Sequence, residues 1–109
     1  MMPRLHLIKK FPQEKGKLAG KKVMLVEDDS FLSDIIARKL SAEKCSLVRS
    51  DNAAQALSLA QAERPDIIIL DIVLPDMNGF EMLEKLKSND ECKRIPVVLL
   101  SNLNQKKRY

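Results

Sequence analysis

A chain of 109 residues is one domain at most, near the lower size at which a sheet covered on both faces can bury a core of its own. Hydrophobic residues make up 45%, which excludes wholesale disorder, and the apolar runs of only four or five residues are far too short to span a bilayer. The net charge of +4 is unevenly spread: residues 1–22 carry seven Lys/Arg against Glu14, residues 23–105 carry nine against fourteen Asp/Glu, and Lys106, Lys107 and Arg108 close the chain.

An acidic body with basic ends is therefore expected. Residues 1–20 mix basic residues with Pro3, Pro12, Gly16 and Gly20 and show no helical or alternating period, so they read as a basic, flexible leader. Such a leader could touch nucleic acid or an anionic membrane, but it lacks aromatic interleaving and an amphipathic stripe, so neither nucleic-acid binding nor membrane insertion is expected of this chain alone. His6, the only histidine, has no second ligand near it. Cys45 and Cys92 lie in no metal-ligand spacing, and no apolar signal core precedes them, which suits free thiols in a reducing cytoplasm.

Val23-Met24-Leu25-Val26 reads as a strand buried on both faces, and it stops in Glu27, Asp28 and Asp29. Ser30 can cap a helix whose stripe is Phe31, Leu32, Ile35, Ile36 and Leu40, ending near Ala42. Cys45 to Arg49 is a weaker strand that fits a sheet edge. Asp51 or Asn52 then caps a helix over 53–62, which Pro65 forbids to continue. The run Ile67-Ile68-Ile69-Leu70 is again a buried strand, interrupted by Asp71. A lone carboxylate is too costly to bury unpaired, so the strand should end there and hand Asp71 to a solvent-accessible crevice. Pro75 and Asn78-Gly79 supply a loop, Phe80 to Lys87 a helix, and Ile95 to Leu100 a last strand ending at Ser101, with Pro96 at its start. Asp76 reads as a solvated loop residue, and Met24, Met77 and Met82 as packing residues.

The order βαβαβαβ with helix-length connections implies an α/β fold with a doubly wound parallel sheet. In such a sheet the ends of the strands at Glu27-Asp28, Asp71 and Ser101 fall on one edge, the edge where open α/β sheets bind ligands. Three carboxylates brought together repel one another unless a cation neutralises them, and an oxygen-only set suits Mg²⁺. A serine hydroxyl beside them could hold a phosphoryl oxygen. Together they read as an aspartate placed to attack phosphorus with metal help.

The segments Lys22-Val-Met-Leu-Val-Glu-Asp-Asp29, Asp66-Ile-Ile-Ile-Leu-Asp-Ile-Val-Leu-Pro-Asp-Met-Asn-Gly79 and Ile95-Pro-Val-Val-Leu-Leu-Ser101 resemble the receiver domain of two-component response regulators, over residues 21–103. The resemblance implies a flavodoxin-like fold with Asp71 as phosphoacceptor, Asp28 as a direct Mg²⁺ ligand and Glu27 as one acting through water. It further implies the Val73 carbonyl as a backbone ligand and Ser101 as the switch hydroxyl. Asp29 would be a bystander or a helix cap. The phosphoryl group would come from a histidine kinase or a histidine phosphotransfer protein, the chain assisting its own phosphorylation rather than acting as an enzyme.

The family pattern continues beyond Ser101 with a further helix, a fifth strand bearing an aromatic switch residue and an essential lysine, and a last helix. Here Asn102 to Tyr109 follows, with 104–109 a basic tail. Lys106 and Lys107 have no apolar strand before them, and Tyr109 has no claim to the aromatic role. The expected receiver is therefore incomplete at its carboxyl side, with four strands and three helices, and a second copy could complete the sheet as a homodimer. Two other readings compete: a receiver-like interaction module that is not phosphorylated, and a phosphohydrolase with an aspartyl nucleophile. The latter class usually has a second aspartate where Val73 stands.

Overall fold

A computed structural model of the chain describes residues 17–101. Its elements are β1 (Lys22–Val26), α1 (Ser30–Ser41), β2 (Ser46–Ser50), α2 (Ala53–Glu63), β3 (Ile67–Asp71), α3 (Gly79–Lys87) and β4 (Val97–Leu100). The four strands form one sheet in the order β2-β1-β3-β4, every pairing parallel. The weakly patterned strand is thus at an edge, as expected. Residues 1–16 of the basic leader and the basic tail lie outside the described residues. Among the described residues no helix is long and apolar enough to cross a membrane.

Alternation along the strands splits the core into two layers, because successive side chains leave a strand on opposite faces. Met24, Val26, Ile68, Leu70, Val97 and Leu99 meet the small face of α2 (Ala53, Ala56, Ala60) and Met82 and Leu86 of α3. Val23, Leu25 and Ile69 face the other way, toward Leu40 of α1. Helices therefore cover both faces. Each fully buried Ile or Leu side chain in these layers contributes on the order of 1.5–3 kcal/mol of burial free energy. Met24 and Met82 are buried, and Met77 packs against the core, as the packing reading required.

Residues 17–20, read from composition as part of the leader, are placed against the domain. Leu18 is only 5% exposed and joins the α1-side layer, and residues 17–20 form a turn closed by Lys21 N–H donating to the Leu18 carbonyl at 2.9 Å. Gly20, at φ +77°, lets the chain turn from this plug into β1, and its N–H reaches the Lys44 carbonyl at 3.1 Å. One apolar residue among lysines gave no periodic signal.

Local rules decide the helix starts. Asp29, not Ser30, caps α1: its Oδ1 accepts from Leu32 N–H at 3.0 Å, while Ser30 becomes the first helical residue. Asn52 caps α2 by accepting from Gln55 N–H, and Asn78 caps α3 by accepting from Glu81 N–H, each at 2.8 Å. On α1 the apolar stripe is unevenly covered. Phe31 is 75% exposed, whereas Leu32, Ile35 and Ile36 are half-buried.

Candidate functional site

The register of β1 against β3 builds the site. Val26 pairs with Leu70, so the residues that follow them, Glu27 just past β1 and Asp71 at the end of β3, stand side by side. Glu27 is held by its backbone and its carboxylate: its N–H donates to the Ser50 carbonyl at 3.0 Å, and its Oε2 accepts from Asp29 N–H at 2.9 Å. Asp28 follows, half-buried. Glu27, Asp28 and Asp71 each present a carboxylate oxygen, and these atoms lie within 4.8 Å of one another. Two of the three acids are buried, Glu27 and Asp71 each 3% exposed.

Asp71 differs from expectation in one respect. The strand does end on it, but its side chain is buried rather than handed to an open crevice. The physical reason is local: Val73 N–H donates to Asp71 Oδ1 at 3.2 Å, and a carboxylate with such a donor and neighbours bordering a cleft need not reach bulk water itself. The cleft, about 380 Å³, opens beside the acid pair and is lined by Glu27, Asp28, Ser33, Arg49, Ser50 and Asn52, among others. Arg49 was not singled out by sequence. It donates to Ser33 Oγ at 2.7 Å and to Asp34 Oδ1 at 2.6 Å from Nη2, and so places a fixed cation on the cleft wall.

The loop after β3 folds back on itself. Val73 and Asn78 form an isolated bridge, and Gly79 N–H donates to the Ile72 carbonyl at 2.6 Å. Ser101 is half-buried. Its neighbour Leu100 pairs with Asp71, and Ile72 N–H reaches the Leu100 carbonyl at 3.2 Å, so Ser101 stands one residue beyond the strand position opposite Asp71.

Asp76 is exposed but not merely solvated. Its two oxygens accept from Ala53 N–H and Ala54 N–H, both at 2.8 Å, and the first of these bonds is the main cause that holds its carboxyl below the ordinary value. Away from the site, burial pushes the Cys92 and Cys45 thiols up, which suits packing rather than chemistry.

Oxygen-only donors, three formal negative charges and a span under 5 Å make a set that fits a hard divalent cation. A family model, the response regulator receiver domain, matches residues 23–109. The chain belongs to that family. A receiver domain so placed has relatives of both sequence and shape. The polar-differentiation response regulator DivK of Brucella anthropi is 37% identical over 81 residues, covering 74% of this chain. This receiver spans 66% of DivK's length. The phosphorylated cyanobacterial phytochrome response regulator RcpA superposes with a TM-score of 0.70 at 36% identity, over 79% of this chain and 69% of that one. The receiver domain of a Pseudomonas aeruginosa sensor histidine kinase, solved with a magnesium ion coordinated in its active-site cleft, gives a TM-score of 0.73 at 25% identity, over 76% and 68% of the two chains. The four-stranded parallel sheet with three helices is thus a receiver-type fold over the part of these chains that it matches.

Proposed function

We propose that this receiver accepts a phosphoryl group on Asp71 from a histidine kinase or a histidine phosphotransfer protein. The convergence of Glu27, Asp28 and Asp71 within 4.8 Å at the end of two adjoining strands is the observation that carries the reading. Mg²⁺ would be held by Asp28, Asp71 and the Val73 carbonyl, with Glu27 acting through water, and would neutralise charge on the phosphoryl oxygens. In the transfer, an Asp71 carboxylate oxygen forms the bond to phosphorus while the bond from phosphorus to the donor imidazole nitrogen breaks, leaving an acyl phosphate on the chain. Glu27 and Asp28 would supply carboxylate oxygens that draw the cation to this end of the sheet. Ser101, one residue past the position opposite Asp71, supplies the hydroxyl that responds to the new phosphate.

Incubation with a small-molecule phosphodonor and Mg²⁺, read by intact mass, tests this. An added phosphoryl group that is lost at alkaline pH and absent in Asp71→Asn is expected. Unmodified wild-type protein under those conditions, with binding to a kinase that is indifferent to Asp71→Asn, would assign the chain instead to an interaction module.

A further inference from the structure

The β3–α3 loop, residues 72–78, has local fastenings at both ends, the Val73–Asn78 bridge and the bond from Gly79 N–H to Ile72. Its middle is fastened to something remote. Asp76 Oδ1 accepts from Ala53 N–H and Oδ2 from Ala54 N–H, each at 2.8 Å and across 23 and 22 residues of sequence. Those donors are the first two residues of α2, and α2 already has its own cap, since Asn52 accepts from Gln55 N–H. Asp76 is therefore not needed to start the helix. What it adds is a link between two loops. One carries Val73, whose N–H holds Asp71. The other carries Ser50, Asp51 and Asn52, part of the cleft wall beside Glu27 and Asp28. Two bonds from one planar carboxylate fix direction as well as distance, and the positive end of α2 favours the anion.

We infer that Asp76 is a positioning residue, which anchors the β3–α3 loop on the start of α2 and so keeps Val73 in place against Asp71. The inference rests on the metal and phosphoryl-transfer reading only for its consequence, since the anchoring is a property of the metal-free chain. A residue that served α2 alone would leave the loop untouched when removed. An anchor would not.

Amide hydrogen exchange followed by NMR on the metal-free chain separates the two, comparing Asp76→Ala with Ser58→Gly. Ser58 is exposed in the middle of α2, and glycine there loosens the helix without touching the loop. Asp76→Ala is expected to speed exchange at Val73, as well as at Ala53 and Ala54, by about tenfold, the effect of losing a tether of two hydrogen bonds, one part-buried and one exposed. Ser58→Gly is expected to speed exchange within α2 only. A Mg²⁺ titration should then show affinity reduced severalfold by Asp76→Ala and unchanged by Ser58→Gly. If Asp76→Ala does not fold, Asp76→Asn, which keeps one acceptor oxygen, should give an intermediate gain in Val73 exchange. Val73 protection that survives Asp76→Ala, or that Ser58→Gly weakens equally, overturns the inference. Wild-type protein that fails to bind Mg²⁺ would overturn the metal reading instead, and the exchange comparison would still decide the anchor.

Discussion

Gly79 lies directly against the backbone of Asp71: a Cβ placed on it would come 2.5 Å from the Asp71 carbonyl oxygen and 2.8 Å from Ile72 Cα. Both distances are well inside contact, and both neighbours are backbone, so nothing flexible can yield. The first turn of α3 can close on the end of β3 only because this residue has no side chain.

Gly79→Ala should therefore cost about 1–3 kcal/mol, the usual range for overpacking a site that cannot relax. Because the displaced atoms belong to Asp71 and Ile72, the damage should extend to the acid cluster. Urea unfolding would give the stability loss, and Mg²⁺ titration should show weaker binding than in a core variant of equal stability.

Neutralising one member of the acid cluster should stabilise the metal-free chain, since three carboxylate oxygens within 4.8 Å repel one another. Asp28→Asn, at the half-buried position, is expected to gain about 0.5–2 kcal/mol, seen as a higher thermal midpoint without metal. Adding Mg²⁺ should raise the midpoint of the wild type and leave that of the variant almost unmoved.

Glu27→Gln should weaken Mg²⁺ binding by roughly 10- to 100-fold, the range typical of a partner acting on the ion through another ligand. Isothermal titration would check it. Unaltered affinity would remove Glu27 from the site.

The acid limb of stability should depend on Asp76. Its folded carboxyl ionises below the unfolded one, chiefly because Ala53 N–H donates to it. Its contribution is therefore present in full above the unfolded value, near pH 4, and is lost as pH falls through the lower folded value. Thermal midpoints recorded from pH 7 to pH 2.5 should fall less steeply at the acid end in Asp76→Asn than in the wild type.

Leu18→Ala should destabilise by about 2 kcal/mol, the low end for truncating a buried leucine, because Leu18 plugs the rim rather than the centre of the α1-side layer. Chemical denaturation would measure it, and a loss near zero would return residues 17–20 to the leader.

That Glu27, Asp28 and Asp71 would cluster was legible because the apolar runs Val23–Val26 and Ile67–Leu70 each stop in carboxylates, which have no packing role there. The strands were legible for the same reason, with errors confined to their ends: β1 begins one residue earlier, at Lys22, and β4 later, at Val97. Ile95 is buried without joining the ladder, whereas Pro96, which has no N–H, contributes only its carbonyl to Ile68 N–H at 2.9 Å. Asp76, Gly79, Arg49 and Leu18 were not legible as structural fixtures. Their roles come from meetings between segments distant in sequence, and neither periodicity nor turn chemistry encodes which helix start a loop aspartate will reach. The dipeptide Asn78-Gly79 signalled a turn, yet the decisive fact was the proximity of another backbone.

The strand order has a consequence for synthesis. β1 is flanked by β2 and β3, and the bond from Lys22 N–H to the Asp66 carboxylate, at 2.8 Å, spans 44 residues. As the chain leaves the ribosome, Val23 to Val26 can pair on one side once β2 has emerged, but the other side stays open until Ile67 to Leu70 arrive. Over that interval one edge of β1 stays unpaired, and an unpaired apolar edge is open to pairing with another strand.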